Sequence, residues 1–214
     1  MTSRATIDNG VASLPADAAH WPFPALRDAL AELRDAARVV RIDLTGTALL
    51  AWNARDLRWF ERYPLPVVAA VRGETGGQAL ALALACDVRL AADDATLAVA
   101  TPPPERLAAL LGGRAVEIGE ALTAPEARMV GLVSVVTPPD GLDAAAARVA
   151  GTIAARGPIA TQLAKEAIWR GLDMPIEQAF RFETDFTLLL QTTNDRAEGV
   201  AAFVAKRPPQ FTGK

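Results

Sequence analysis

The chain has 214 residues, of which 51% are hydrophobic and 22% are charged, and its formal net charge is -3. This length and composition predict a globular protein with one sizeable core. Acidic and basic residues are interspersed without a basic stripe, which argues against binding to nucleic acid.

Three further features argue against other classes of protein. No apolar run approaches the roughly 20 residues that span a bilayer, and residues 1–15 lack the basic-then-apolar pattern of a signal peptide. Cys86 is the single cysteine, which excludes an intrachain disulfide framework and cysteine-rich metal sites. His20 is the single histidine, and a loop position explains it better than a catalytic triad or a metal site. These features predict a cytosolic protein without a membrane partner.

The beginning of the chain predicts one helix between extended segments. Residues 1–24 carry several prolines and no clear period, which predicts an irregular or partly extended lead-in. Leucines at helical spacing predict a helix over residues 24–38, and alternation predicts a strand over 39–44. Residues 47–63 have no clean period, whereas the apolar run 66–71 predicts a buried strand.

A glycine-rich turn then leads into a helix that is apolar on all sides. The turn runs from Gly73 to Gly77, and the helix over residues 78–86 consists almost entirely of Ala and Leu. Such a helix must be buried, so we expect it at the centre of the protein. Further patterns predict strands at 88–91, 97–100 and 133–137. They also predict one helix that ends at residue 111 and a second over residues 114–122. A capping box at Thr123 predicts the start of a third helix, which ends at Val130.

From residue 138 onward the pattern is helical only. Apolar stripes and capping residues predict helices over 142–153, 159–170, 176–191 and 195–205. The sequence therefore predicts an α/β body over residues 1–137 and a helical region over residues 138–214.

The strand, glycine turn and buried helix form a unit that recurs where backbone amides face a ligand. Free N–H groups at a helix N-terminus favour anions and polarised carbonyls. A P-loop needs Gly-Lys-Ser/Thr at the helix start, but Gln78 follows Gly77. A dinucleotide fingerprint needs G-x-G-x-x-G, which this turn does not match. An oxyanion hole for a thioester and a tight turn without a ligand both stay open.

Several separated blocks of the sequence occur in the order found in one superfamily. The blocks are PVVAAVRGETGGQALALALACDVRLAADDATLAV at 66–99, LTAPEARMVGLVSVVTPPDGL at 122–142, GPIATQLAKEAI at 157–168 and TTNDRAEGVAAFVAKRPPQFTGK at 192–214. Together they resemble the crotonase (enoyl-CoA hydratase/isomerase) superfamily, over roughly residues 36–214. The resemblance implies an α/β spiral of ββα units with a C-terminal helical trimerisation region, hence a homotrimer or hexamer.

The resemblance also implies a site for an acyl-CoA thioester, as in fatty acid metabolism. Coenzyme A is then part of the substrate, and no separate cofactor or metal is implied. In this superfamily two backbone N–H groups form the oxyanion hole. The resemblance assigns the first to Arg55, in the segment Asn53-Ala54-Arg55-Asp56, and the second to Gln78, or to Gly77 after a one-residue slip.

The chain departs from the superfamily at two glutamates that serve hydration. In hydratases these residues position water and move its proton, and such acid–base groups typically contribute 10²–10⁴-fold each. Ala81 occupies the place of the first glutamate and Thr101 that of the second. Part of the family's pocket wall is also missing between Thr101 and Glu105. The sequence therefore predicts weak or absent hydratase activity.

Glu74 and Glu105 are the candidate substitutes for the missing carboxylates. Each also has a structural interpretation, Glu74 as a solvated loop residue and Glu105 as an acidic residue favoured at a helix start. Two functions stay open: a lyase or isomerase that relies on enolate stabilisation, and a non-catalytic subunit that binds a CoA ester. Loss of CoA binding altogether is a third possibility.

Overall fold

The computed structural model describes residues 5–14, 21–46, 54–98 and 121–214. Strands and helices alternate in the first part of these ranges, and helices alone follow the last strand. The strands are β1 Thr6–Asp8, β2 Val11–Ser13, β3 Val39–Gly46, β4 Val67–Gly76, β5 Val88–Ala92, β6 Thr96–Ala98, β7 Ala121–Thr123 and β8 Val135–Thr137. The α-helices are α1 Phe23–Leu33, α2 Ala54–Glu61, α3 Gly77–Ala85, α4 Ala124–Met129, α5 Leu142–Ala154, α6 Pro158–Gly171, α7 Ile176–Leu190 and α8 Asn194–Val204.

The strands form one mixed sheet in the order β1-β2-β3-β4-β5-β8. From β2 to β8 along this path, neighbouring strands are parallel. β6 pairs in parallel with the end of β4, and β7 pairs antiparallel with β6. Parallel strands are typically covered by crossover helices, and α5 packs across β3, β4 and β5. The predicted α/β class is confirmed.

Residues 6–13, within the proline-containing segment at the start of the chain, form a β-hairpin. β1 pairs antiparallel with β2 through the turn Asn9-Gly10. Both turn residues have positive φ, 49° at Asn9 and 79° at Gly10. This is the backbone of a type I′ turn, for which Asn-Gly is a strong sequence signal. The segment was predicted to be irregular or partly extended, and residues 6–8 and 11–13 are extended.

A bulge redirects β4 near its end. Thr45 pairs with Arg72, whereas the next residue, Gly46, pairs with Thr75, so β4 carries Gly73 and Glu74 as extra residues. Gly73 has φ +55°, which a residue without Cβ adopts at little cost. Before the bulge β4 pairs with β5, and after it β4 pairs with β6. The bulge therefore turns the glycine-rich segment away from the plane of the central strands.

Two other segments differ from the expectations. Residues 54–61 form α2, although residues 47–63 show no clean apolar period. Ala121 and Leu122 lie in strand β7, where the pattern predicted the end of a helix, because they pair with β6. The rest of that predicted helix and the one ending at residue 111 lie outside the described residues. The remaining predicted helices and strands are found with shifts of a few residues at their ends.

The core lies between the sheet and the helices that cover it. α3 is buried along almost its whole length, as its all-apolar sequence predicts, with Leu80, Leu82 and Leu84 each at most 2% exposed. The capping box predicted at Thr123 is present: Thr123 accepts a hydrogen bond from the Glu126 amide, and Glu126 accepts one from the Thr123 amide. The hydrogen bond from the Thr123 side chain holds the pKa of Glu126 below its usual range.

A buried ion pair attaches α6 to the sheet. The Lys165 Nζ atom lies 2.8 Å from Asp87 Oδ2 and donates to the Leu65 carbonyl at 2.9 Å. Asp87 also accepts hydrogen bonds from the Trp169 indole at 2.8 Å and from the Val67 amide at 2.7 Å. The Lys165 side chain is 7% exposed and the Asp87 side chain 16%. One carboxylate therefore joins the beginning of β4 to two successive turns of α6.

The last helices bury little of their apolar surface within the chain. α7 has no buried residue, and α6 and α8 have few. Large apolar side chains are exposed on all three helices or on the turn that joins the first two: Ile168, Leu172, Ile176, Phe180, Leu188, Leu189, Val200, Phe203 and Val204. An apolar surface of this extent is typical of a contact between proteins.

Candidate functional site

α3 begins at the carboxyl edge of the sheet, and α2 packs against α3. β3 and β4 are parallel neighbours, so their carboxyl ends meet at one edge. α3 follows β4 directly, and α2 begins at Ala54, the next described residue after β3. Ligands of open α/β sheets bind at this edge, where backbone amides at helix N-termini face outward.

The backbone at the start of α3 leaves its first amides without a side-chain cap. Gly76 is the N-cap residue, with φ -143° and ψ -176°, and it has no side chain that can accept a hydrogen bond. Gly77 has φ +53°, a left-handed conformation that favours glycine. The N–H groups of Gly77 and Gln78 belong to the first turn of the helix, where no intrahelical acceptor exists. The N-cap residue therefore offers them no side-chain acceptor.

Arg55 lies in the first turn of α2. Its side chain is exposed and lines a groove between α1 and α2. Asp56, in the same turn, places a negative charge where the helix dipole favours it. The structure thus places Gly77 and Gln78 at the carboxyl edge of the sheet, and Arg55 on the helix that packs against α3.

Ala81 lies on α3 one turn after Gln78. Residues three apart share one face of a helix, so position 81 follows the candidate amide along that face. Ala81 is partly exposed, whereas Leu80 and Leu82 beside it are buried. The alanine methyl group offers no proton donor or acceptor at this position. Thr101 and Glu105 lie outside the described residues, and so does His20.

Glu74 lies on the bulge of β4, three residues before Gly77. Its side chain is exposed, and in the sheet it is opposite Thr96 of β6. Thr75 beside it is fully buried and donates a hydrogen bond to the Arg72 carbonyl at 3.2 Å. The segment around Glu74 is therefore anchored, and the carboxylate faces solvent at the edge where α3 begins.

Cys86 is a core residue, as its apolar surroundings predict. Its side chain is completely buried, and its thiol donates to the Leu82 carbonyl at 3.2 Å. Burial raises the pKa of the Cys86 thiol to about 12. A thiol that stays protonated is a poor nucleophile, which excludes this residue from nucleophilic catalysis.

The described residues contain no group of three side chains suited to a metal ion. They also contain no helix that is long and apolar enough to cross a membrane.

The sequence did not predict the groove between α1 and α2, because the segment around α2 has no apolar period. Arginines at positions 55, 58 and 62 are spaced as one face of a helix and are the signal that indicates it.

A family model described as enoyl-CoA hydratase/isomerase matches residues 104–214, which is more than half of the chain. A crotonyl-CoA hydratase of Syntrophomonas wolfei is 31% identical over 231 residues, covering 88% of this chain and 89% of that protein. The chain belongs to the enoyl-CoA hydratase/isomerase family.

Other family members are closer in sequence over shorter matches. A Bacillus subtilis protein named as an enoyl-CoA hydratase/isomerase, YngF, is 39% identical over 172 residues, which cover 74% of this chain and 66% of that protein. The 2,3-dehydroadipyl-CoA hydratase of Escherichia coli is 35% identical over 76% of this chain and 69% of its own length. The matches therefore span about two thirds of these two family members.

The solved structures agree with the family and the fold. The crystal structure of an enoyl-CoA hydratase from Bacillus anthracis has a TM-score of 0.85 to this chain at 30% sequence identity. The match covers 98% of this chain and 99% of that chain. The predicted crotonase fold, with a mixed sheet followed by helices, is thereby confirmed.

Proposed function

We propose that this family member binds an acyl-CoA thioester and that the backbone amides of Arg55 and Gln78 hold its carbonyl oxygen. The observation that carries the proposal is the uncapped start of α3 at the carboxyl edge of the sheet, with α2 packed against α3. The Gly77 amide is the alternative second donor. Backbone donors of this kind favour the negative oxygen of an enolate over the neutral carbonyl, and each is worth about 2.7–4 kcal/mol.

Hydration of an enoyl-CoA is a poor fit to the residues around this edge. Addition of water across the double bond needs groups that activate the water and protonate the α-carbon. Ala81 supplies neither function, and Thr101 supplies no carboxylate at the second glutamate's place. The proposed chemistry therefore begins with removal of an α-proton, as in double-bond isomerisation, and hydratase activity is low.

Glu74 is the proposed base among the described residues. Its exposed carboxylate lies at the same edge as the candidate amides. It takes the α-proton of the thioester, the electrons move to the carbonyl oxygen, and the amides hold the resulting enolate. The proton returns from the carboxylic acid to the same or a conjugated carbon. Glu105 is a second candidate, and this role too stays a proposal.

Exchange of the α-protons of butyryl-CoA in D₂O, followed by NMR, tests this reaction. We expect protein-dependent exchange that falls by about 10²-fold or more in Glu74→Gln, because positioned bases contribute that much. Asp94→Asn is the matched control, since Asp94 is an exposed carboxylate on the turn before β6. Exchange that is equal in Glu74→Gln and the unmodified chain would rule out Glu74 as the base.

The alternative function is a non-catalytic subunit that binds a CoA ester. The bulky replacements Arg55 and Gln78 and the shortened pocket wall favour it. Calorimetric binding of butyryl-CoA without any proton exchange would support this alternative. Absence of both binding and exchange would contradict both functions.

The proposed assembly is a trimer, or a dimer of trimers, through the exposed apolar side chains of α6, α7 and α8. Covering such side chains from water stabilises an interface by roughly 25 cal/mol per Å² of apolar area. A monomer at micromolar concentration in sedimentation velocity would contradict it. The cytosolic location and the two-part division at residue 137 stay predictions.

A further inference from the structure

Thr75 is a fully buried polar residue near the end of β4, between the exposed Glu74 and the N-cap residue of α3. Its hydroxyl donates a hydrogen bond to the Arg72 carbonyl at 3.2 Å. This bond spans the bulge, because Gly73 and Glu74 are the extra residues that β4 carries there. One side chain therefore closes the bulge, residues 72–75, as a hydrogen-bonded loop.

The segment around Thr75 is rich in glycine and has little stiffness of its own. Three of the five residues 73–77 are glycine. Gly73 and Gly77 have φ values of +55° and +53°, a conformation that glycine adopts at little cost. Glycine also loses more conformational freedom on folding than any other residue. Thr75, which is branched at Cβ and restricted at χ1, is therefore the stiff residue of this segment.

The acceptor of the Thr75 hydrogen bond is itself held in place. Arg72 pairs with Thr45 at the last position of β3 and β4 before the bulge. Its guanidinium group lies 2.7 Å from an Asp143 carboxylate oxygen at the start of α5 and donates to the Pro139 carbonyl at 3.4 Å. The same Asp143 oxygen also pairs with Arg41 of β3. The Arg72 carbonyl is therefore a fixed point to which the hydroxyl ties the bulge.

The backbone that follows Thr75 leads directly to the candidate amides. Thr75 pairs with Gly46 of β3 and also with β6. Gly76 is the N-cap residue, and Gly77 is the first residue of α3. Only these two glycines separate Thr75 from Gln78. A change in the backbone at Thr75 therefore changes the direction of the N–H groups that begin α3.

We infer that Thr75 is a positioning residue of the candidate oxyanion site, whose hydroxyl fixes the bulge and thereby the direction of the Gly77 and Gln78 amides. This inference rests on the proposed function, in which these amides hold the carbonyl oxygen of a thioester. Because Thr75 is fully buried, it acts through the backbone and does not contact the substrate. Misplacement of a group in an active site by about 1 Å can slow a reaction by about 10²-fold.

The variants Thr75→Val and Thr75→Ser separate the hydroxyl from the packing of the side chain. Valine keeps the branched shape and lacks the hydroxyl, whereas serine keeps the hydroxyl and lacks the methyl group. We expect Thr75→Val to slow α-proton exchange of butyryl-CoA by about 10- to 10²-fold and Thr75→Ser to stay within about threefold. A role in packing alone predicts the opposite order, because serine leaves a small cavity in the core.

Calorimetric binding of butyryl-CoA distinguishes positioning from a general loss of the site. Correctly placed donors favour the enolate over the neutral carbonyl, so the affinity of Thr75→Val for butyryl-CoA should change by less than about threefold. Thr161→Val is the matched control, since Thr161 of α6 donates to the Gly157 carbonyl at 3.0 Å. It removes a bond of the same kind at a distant site, and α-proton exchange should stay within about twofold of the unmodified chain.

Amide hydrogen exchange of peptides that cover residues 73–79, followed by mass spectrometry, tests the positioning without any reaction. We expect this segment to exchange at least about fivefold faster in Thr75→Val, because the bond that restrains it is lost, and to be unchanged in Thr75→Ser. If the unmodified chain exchanges no α-protons, the proposed function fails and amide exchange alone decides the role of Thr75. Equal amide exchange in Thr75→Val and the unmodified chain, or α-proton exchange no slower in Thr75→Val than in Thr75→Ser, would overturn the inference.

Discussion

Replacing Lys165 with Met is expected to lower the free energy of unfolding by about 3–5 kcal/mol, because removing one partner of a buried ion pair leaves a buried charge without compensation. Lys165 donates to both Asp87 and the Leu65 carbonyl from a nearly inaccessible position. Methionine keeps the approximate length of the side chain. The decrease in the free energy of unfolding therefore measures the contribution of the charge and its hydrogen bonds. Equilibrium unfolding in urea, with the midpoint and the slope both fitted, measures it.

Glu166→Gln is the control for this prediction. Glu166 is the next residue of α6 and forms an exposed i,i+4 pair with Arg170. Exposed pairs contribute about 0–1 kcal/mol, so the control should unfold close to the unmodified chain. A loss in Lys165→Met that is no larger than in Glu166→Gln would show that the ion pair between Lys165 and Asp87 does not hold α6 on the sheet.

Replacing Gln78 with Pro is expected to slow α-proton exchange of butyryl-CoA by about 10²–10³-fold, the usual effect of removing one oxyanion donor. Proline has no N–H group, so the substitution removes the amide that is proposed to hold the thioester oxygen. It is tolerated in the first turn of a helix, where the N–H has no intrahelical acceptor. The second position of α3 is such a place.

Gln78→Ala separates the amide from the side chain. Alanine keeps the N–H group and removes only the amide side chain, so exchange should stay within a few-fold of the unmodified chain. Circular dichroism and thermal unfolding of both variants report whether α3 is intact. Equal exchange in a folded Gln78→Pro variant would contradict the assignment of the donor to this residue.

Apolar periodicity predicted the parts of the fold that depend on burial. The central helix α3 is the clearest case, since a run of Ala and Leu can be stable only inside the core. The amphipathic pattern of α1 and the capping box at Thr123 were also sufficient to predict their helices, because each pattern depends on a local physical requirement of a helix. The order of the separated blocks indicated the superfamily, and the comparisons confirm that the chain belongs to it.

The parts that the sequence did not reveal depend on contacts between distant residues. Among the α2 residues whose burial is described, 55–61, only Phe60 is buried, so the apolar pattern of this helix is too weak to detect. The end of β4 changes partner at a bulge, which no local signal other than Gly73 indicates. The groove between α1 and α2 requires these two helices to be neighbours, and the pairing of Asp87 with Lys165 joins residues far apart in the chain. In the candidate site, the proposed donors are the backbone amides of Arg55 and Gln78. Every residue except proline has such an amide, so the residue types at these positions do not indicate the site.

Hydration of crotonyl-CoA, followed by loss of the conjugated enoyl absorbance, tests the central claim most directly. The reference is the crotonyl-CoA hydratase of Syntrophomonas wolfei, measured at the same enzyme concentration. Because two acid–base groups worth 10²–10⁴-fold each are proposed to be missing, turnover should be at least about 10⁴-fold slower than in the reference. Turnover comparable to the reference would contradict the account, since a full hydratase site would then exist without carboxylates at positions 81 and 101.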